Sequence, residues 1–219
     1  MAMMFIWQLW NLRNLWVFEK KKVEPVLACN RTINLLVEFE LAGEREEPPP
    51  KPEAHEIQTW QPPHSPLFKV NVDAAVTGSK FGLGMVVRDE VGDVLMSAGS
   101  SCQAEGDPLH AEAKAMFFGF KYAFDVGFRS IVMESDCANL VQLAMGKTRV
   151  RTRTQVIVDD ILALAPNFEY CLFVFAIRSC NRVAHSIAKS SLTLEEVVVW
   201  MEDHPLDVLP LVLADKPFE

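Results

Sequence analysis

Cysteine is scarce in this 219-residue sequence, and its spacing excludes two kinds of small-domain scaffold. The cysteines are scattered, odd in number and never arranged as C-x-x-C; they are Cys29, Cys102, Cys137, Cys171 and Cys180. Zinc sites and disulfide frameworks are recognised by closely spaced or evenly numbered cysteines. We therefore expect neither, and we expect the protein to work in a reducing interior.

Long hydrophobic runs are also lacking. The N-terminal stretch MAMMFIWQLWNLRNLWVF is apolar, but Gln8, Asn11, Arg13 and Asn14 interrupt it. It therefore has neither the continuous apolar core of a signal peptide nor the roughly 20 apolar residues of a membrane span. We expect an intracellular protein, in the nucleus or the cytoplasm, that has no membrane as a partner.

An excess of positive charge is the third missing feature. The chain carries 21 basic and 29 acidic residues, a formal net charge of −8. No chain-wide cationic field is therefore available to hold nucleic acid. Residues 67–194 balance 13 basic against 13 acidic residues, whereas residues 195–219 carry 1 basic and 7 acidic residues. The acidity is thus concentrated at the C-terminal end.

Composition divides the chain into four parts. Residues 1–45 have apolar side chains at three- and four-residue steps, which predicts two helices, over about 5–18 and from Pro25 to about Ala42. The proline-rich stretch 46–66 predicts a semi-extended linker. Residues 67–194 predict a folded domain, and residues 195–219 predict an acidic tail. The tryptophan-rich N-terminal helices need a surface to cover, so docking on the protein itself or on a protein partner is open.

Within residues 67–194 the hydrophobic pattern changes between the strand period and the helix period. Alternation from Leu67 predicts a half-buried strand, and two more strands follow, joined by a tight turn at Gly92. A long helix begins near Pro108 and closes at Gly127. The whole order, β-β-β-α-β-α-α-β-α, predicts an α/β fold with one five-stranded mixed sheet and helices on both faces.

Two glycines of the second strand could be mistaken for a phosphate-binding loop. No helix follows Gly82 and Gly84, so the loop-to-helix geometry of such a site is missing. We expect these glycines to ease the start of the strand.

Three acidic residues fall inside apolar elements. Asp73 lies in the first strand, Glu112 one turn into the long helix, and Asp136 at the end of the fourth strand. A carboxylate near a core is costly unless it is paired or binds a metal. Converging carboxylates form an oxygen-only site suited to Mg²⁺ or Mn²⁺. Structural alternatives remain open: Glu112 as a first-turn helix charge and Asp136 as a helix N-cap.

Five motifs lie in order along the chain: KVNVDAA, GLGMVVRDEVGDVL, HAEAKAM, VMESDCANLV and RSCNRVAHSIAK. Together they resemble the ribonuclease H fold and, more narrowly, the ribonuclease-H-like domain of plant non-LTR retrotransposon reverse transcriptases. The resemblance covers about residues 60–193. It implies an endonuclease that cuts the RNA strand of RNA–DNA hybrids with two Mg²⁺ or Mn²⁺ ions, held by Asp73, Glu112 and Asp136.

The chain departs from the family pattern at the fourth carboxylate position, which falls on His185. Imidazole is a poor ligand for the hard Mg²⁺ ion. The second metal would then bind more weakly, or His185 would act as a catalytic residue in proton transfer. An ordinary helix histidine at a relaxed position is the alternative.

Basic side chains near these motifs are candidates for contacting phosphates of a nucleic-acid duplex. The candidates are Lys147, Arg149, Arg151, Arg153, Arg178 and Arg182, with Asn181 added as a polar neighbour. For the four between residues 147 and 153, the alternative is a solvated connector without a binding role.

The sequence thus leaves three functions open. The first is a metal-dependent ribonuclease acting on RNA–DNA hybrids. The second is a retroelement-derived nucleic-acid-binding domain in which His185 has weakened or removed catalysis. The third is a protein-interaction domain that uses the N-terminal helices.

Overall fold

A computed structural model describes residues 59–103 and 106–216. The predicted N-terminal helices and residues 46–58 of the predicted linker lie outside this part. Six strands and five helices occur in the described residues: β1 Phe68–Thr77, β2 Lys80–Arg88, β3 Val94–Gln103, α1 Pro108–Val126, β4 Ser130–Ser135, α2 Ala138–Ala144, α3 Arg153–Leu164, β5 Tyr170–Phe175, α4 Arg182–Ser191, β6 Val198–Met201 and α5 Leu209–Asp215. None of these helices is long and apolar enough to cross a bilayer.

The strands form one mixed sheet in the order β5-β4-β1-β2-β3-β6. The pairs β1–β4 and β4–β5 are parallel, and the other three are antiparallel. The expected α/β class and mixed sheet are confirmed, but the prediction of five strands is wrong. The sixth strand comes from residues 195–219, where it pairs from Met96↔Met201 to Gly99↔Val198. The high acidic charge of that segment drew attention away from a short apolar run, VVWM, which forms an edge strand of the sheet.

Helix α1 covers one face of the sheet and has the ends that the sequence predicts. Asp107 caps its first turn by accepting a hydrogen bond from the His110 N–H at 2.8 Å. Gly127 ends it in the left-handed conformation, with φ of 109°. The helix lies close to the sheet, because a Cβ added at Gly119 would come within 2.4 Å of a Val72 methyl carbon. This packing fixes where the first turns of α1 point.

Helix α4 lies on the opposite face, in direct backbone contact with β2. A Cβ at Gly82 would come within 2.2 Å of the Ala188 carbonyl oxygen, and one at Gly84 within 2.4 Å of the Ala188 nitrogen. The sequence interpretation of these glycines as easing a strand start is therefore replaced by a packing reason: they admit a neighbouring backbone. Val86 and Val183 form part of the apolar cluster beneath this helix.

A buried polar network ties the last helix to the sheet. Arg88 donates to Asp215 at 2.9 Å and to the Asn71 side-chain oxygen at 2.9 Å, and its guanidinium carbon lies 3.5 Å from the centroid of the Trp60 ring. Arg182 adds a second bond to Asp215 at 3.0 Å. Arg88 and Asp215 are only 1% and 3% exposed. Residues from the predicted linker and from the predicted tail are thus built into the domain.

Replacing Asp215 with Ala should strongly destabilise the domain, because Arg88 would keep its buried charge without a carboxylate partner. Breaking one side of a buried ion pair costs about 3–5 kcal/mol, and urea unfolding followed by circular dichroism measures the loss. Asp93→Ala is the control, since Asp93 pairs with Lys216 at the surface and an exposed pair contributes less than about 1 kcal/mol. Equal losses in the two variants would contradict a stabilising role for the buried pair.

Candidate metal centre

Strand pairing brings two of the predicted carboxylates side by side. In the parallel pair β1–β4, Asn71 lies opposite Glu134. Two residues further along each chain are Asp73, within β1, and Asp136, just beyond the end of β4. Asp73 is 2% exposed, and Asp136 is half-buried.

Glu112 completes the group from helix α1. Oxygen atoms of Asp73, Glu112 and Asp136 all lie within 4.8 Å of one another. We call these three residues the acidic centre. No Lys or Arg of residues 59–103 and 106–216 forms an ion pair with any of them. Three elements that are distant in sequence therefore present carboxylates to one point without a Lys or Arg ion-pair partner among these residues.

The electrostatics of the acidic centre oppose full ionisation. Burial, followed by the neighbouring charge of Asp136, raises the pKa of Asp73 to about 6. Burial, followed by the charges of Asp73 and Asp136, raises the pKa of Glu112 to about 9. Both shifts have the causes expected for carboxylates that share a site. A cation among these oxygens would favour the ionised forms.

The donor set fits a hard divalent cation. The Glu112 Oε2 atom is buried and has no hydrogen-bond partner, although a buried carboxylate oxygen normally has one. The acidic centre offers oxygen ligands only, which is the set that Mg²⁺ and Mn²⁺ prefer. The three carboxylates can thus hold such an ion.

Neither structural alternative explains the acidic residues. Helix α1 begins at Pro108 and has no acidic residue in its first turn, so Glu112 is too far along to stabilise the helix terminus. The N-cap of α2 is Cys137, so Asp136 does not occupy that position. The positions of Glu112 and Asp136 are therefore not accounted for by helix termini.

The N-terminal end of α4 closes over the acidic centre. His185 lies with Nδ1 2.5 Å from Asp73 Oδ2, and its Nε2 lies 3.2 Å from an Arg178 guanidinium nitrogen. Asn181 donates to the Val72 carbonyl oxygen at 2.9 Å and lies 3.4 Å from Asp136 Oδ1. The structure thus brings His185, Asn181 and Arg178 together with the predicted carboxylates.

Two of the predicted nucleic-acid contacts are turned toward the protein. Asn181 is 1% exposed, so its amide faces Val72 and Asp136 rather than solvent. Its link to Asp136 is a feature that the sequence analysis missed, because no local pattern reports a bond between residues 45 positions apart. Arg182 is half-buried and pairs with Asp215.

The other basic candidates are exposed. Lys147, Arg149, Arg151 and Arg153 all reach solvent, and Arg149 pairs with Asp159 at 3.0 Å. Arg153 begins α3, and the next residue, Thr154, contacts the His110 ring at 3.3 Å in the first turn of α1. The end of this basic segment therefore lies beside the helix that carries Glu112.

A family model described as reverse transcriptase-like matches residues 71–191, more than half of the chain. The chain belongs to this reverse transcriptase-like family. The match includes every residue of the acidic centre as well as Asn181 and His185. No curated protein matches the chain in sequence.

Solved ribonuclease H structures share the fold. The ribonuclease H1 of Halobacterium salinarum NRC-1 is 20% identical, covers 57% of this chain and 97% of its own, and superposes with a TM-score of 0.51. The N-terminal ribonuclease H domain of Rv2228c from Mycobacterium tuberculosis is 20% identical, with 57% and 93% coverage and a TM-score of 0.53. LC11-RNase H1, solved in complex with an RNA/DNA hybrid, is 18% identical, with 57% and 96% coverage and a TM-score of 0.52. The ribonuclease H fold expected from the sequence motifs is confirmed.

The raised pKa of Glu112 predicts a pH-dependent stability in protein stripped of divalent cations with EDTA. A carboxyl with a higher pKa in the folded chain contributes full stability below its unfolded pKa, near 4.5, and that stability is lost as the pH rises toward about 9. The melting temperature of Glu112→Gln should therefore rise relative to that of the parent as the pH goes from about 5 to about 9. The parent loses this stability because each unit of pKa difference corresponds to about 1.4 kcal/mol of unfolding free energy.

Thermal unfolding in EDTA, followed by circular dichroism, measures this difference. Glu90→Gln, at an exposed position in the β2–β3 turn, is the control and should follow the parent at every pH. If the difference in melting temperature between Glu112→Gln and the parent stays constant with pH, the raised pKa of Glu112 is contradicted.

Proposed function

We propose that this domain is a divalent-cation-dependent endonuclease that cleaves the RNA strand of RNA–DNA hybrids. The observation that carries the proposal is the acidic centre, three carboxylates from β1, α1 and the end of β4 that meet without a Lys or Arg partner in the described part of the chain. The shared fold with LC11-RNase H1, which was solved with an RNA/DNA hybrid, supports the choice of substrate.

The residues have separate parts in this proposal. Asp73, Glu112 and Asp136 hold Mg²⁺ or Mn²⁺. The Glu112 Oε2 atom, which has no hydrogen-bond partner, is one of the ligand atoms. A bound divalent cation supplies Lewis-acid activation of water and stabilisation of the leaving oxygen in phosphodiester hydrolysis. His185 and Asn181 orient Asp73 and Asp136 by hydrogen bonds.

Substrate binding in this proposal depends on shape and phosphate contacts rather than on base sequence. Hybrid and RNA duplexes present 2′-hydroxyls and phosphates across a shallow minor groove. The exposed basic side chains of Lys147, Arg151 and Arg153 offer phosphate contacts in a domain whose basic and acidic residues balance overall. Arg178 is exposed beside the acidic centre and offers another.

Asp73→Asn should lose at least about 100-fold of the cleavage rate, since even groups that merely support metal ligands change affinity or activity by about 10- to 100-fold. The measurement is cleavage of a labelled RNA–DNA hybrid by the full chain, in Mg²⁺ and in Mn²⁺. Duplex DNA and single-stranded RNA serve as comparison substrates. Asp125→Asn is the matched control, because this exposed carboxylate on α1 pairs with Lys121 and takes no part in the acidic centre.

Two outcomes would decide against the assignment. Cleavage by Asp73→Asn at the parent's rate would show that the acidic centre is not the catalytic site. A parent that cuts duplex DNA or single-stranded RNA as fast as the hybrid would overturn the proposed substrate.

A specific observation favours a second candidate, a nucleic-acid-binding domain with little or no catalysis. The fourth carboxylate position holds His185, which is already engaged by Asp73 and Arg178. Such a domain would bind hybrid duplexes in a salt-dependent way without turnover.

Both candidates share a prediction for the basic segment. Replacing Lys147 and Arg151 together with Gln should weaken hybrid binding and reduce the slope of log affinity against log salt by about 0.9 for each lost phosphate contact. Fluorescence anisotropy in EDTA, at several salt concentrations, measures the slope without cleavage. Lys121→Gln, exposed on α1 and paired with Asp125, is the control. An unchanged slope in the double variant would make the segment a solvated connector.

A further inference from the structure

The imidazole of His185 uses both of its ring nitrogens. Its Nδ1 lies 2.5 Å from Asp73 Oδ2, and its Nε2 lies 3.2 Å from Arg178. A guanidinium has only donors, so the Nε2 lone pair is the acceptor in the second contact. In the neutral imidazole, Nδ1 then carries the proton and donates it to Asp73. Neither nitrogen has a lone pair left for a metal ion.

The backbone holds this arrangement in place. Helix α4 rests on β2 where Gly82 and Gly84 leave no room for a Cβ. Asn181, directly before the helix, bonds the Val72 carbonyl oxygen at 2.9 Å, next to Asp73 in the strand. These contacts set the position of α4 against the sheet, and they place His185 next to Asp73.

The remaining oxygen ligands fit one cation better than two. The acidic centre supplies three carboxylates whose nearest oxygens lie within 4.8 Å of one another. Oxygens bound at about 2.0–2.1 Å to one octahedral Mg²⁺ lie about 3 to 4 Å apart, so one ion can reach all three carboxylates after small side-chain movements. Two metal ions would sit about 3.5–4 Å apart and would need ligands on both outer sides. On the side of α4, the neighbouring groups are the imidazole, the cationic Arg178 and the Asn181 amide, whose NH₂ group faces Val72 and Asp136, and none of them is a carboxylate.

We propose that Arg178 and His185 act as a pair of positioning residues that fix the Asp73 carboxylate, and that the acidic centre consequently binds a single divalent cation. Arg178 holds the imidazole by its Nε2 atom, and the Nδ1–H holds Asp73. This inference rests on the proposed function, since it assumes that the acidic centre binds a metal. The sequence analysis expected a second, more weakly bound metal ion; in this inference the acidic centre binds one ion only.

The test is a titration of the purified full chain with Mn²⁺ alone, in which electron paramagnetic resonance measures the free ion. The parent should bind one Mn²⁺ per chain. His185→Asp should bind two, because a carboxylate restores oxygen ligands where the imidazole stands. His185→Ala should bind one ion at least 10-fold more weakly, as expected when a residue that orients a ligand is lost.

Two further variants separate positioning from packing. His185→Asn keeps an amide N–H close to the place of Nδ1–H, so it should recover most of the affinity that His185→Ala loses. Arg178→Gln, at an exposed position, should also weaken Mn²⁺ binding while the domain stays folded by circular dichroism. His64→Ala removes an exposed histidine that precedes β1 and should match the parent.

The possible failures are distinguishable. Two Mn²⁺ ions of similar affinity in the parent would overturn the single-cation inference and leave the proposed function standing. Equal Mn²⁺ affinity in the parent and His185→Ala would overturn the positioning role alone. No Mn²⁺ binding by the folded parent would overturn both the inference and the proposed metal dependence.

Discussion

The direct contact between helix α4 and strand β2 determines where the polar groups of the site lie. Gly82 and Gly84 place the sheet against backbone atoms of Ala188, and backbone atoms cannot rotate away as a side chain can. The distance between helix and sheet is therefore set by hard contact. That distance brings His185 and Asn181 to Asp73 and Asp136. The same helix also carries Arg182 to the buried Asp215.

Buried carboxylates in this domain fall into two groups that differ in their partners. Glu134 pairs with Lys69 at 2.8 Å, and Asp215 pairs with Arg88 at 2.9 Å. The acidic centre, only two residues beyond Glu134 at its β4 end, lacks a Lys or Arg partner within the described residues. Burial alone therefore does not mark a functional acid. What separates the two groups is whether the fold supplies a Lys or Arg partner for the buried carboxylate.

The sequence was sufficient for features that depend on local pattern or on chain order. Pro108 and Gly127 bound the long helix, and the order of elements predicted that two acids on neighbouring strands and one on the helix that crosses them could converge. Features that depend on contacts between distant segments could not be predicted in the same way. The role of Gly82 and Gly84 appears only once a helix about 100 residues later packs against them. The sixth strand was missed because the charge count was taken over the whole segment 195–219, and only four of its residues form the strand.

The imidazole at the fourth position changes the balance between folding and metal binding. Neighbouring carboxylates already help to raise the pKa values of Asp73 and Glu112, so a further carboxylate would add repulsion that a bound cation would offset. The hydrogen bond from His185 acts in the opposite direction and lowers the pKa of Asp73. It therefore favours the ionised, correctly oriented Asp73 before any metal arrives, while it removes one of the charges that attract metals. If the acidic centre binds metal as proposed, this arrangement lowers its affinity for a second cation and stabilises its cation-free state, which is the direction expected when function and stability compete for the same buried charges.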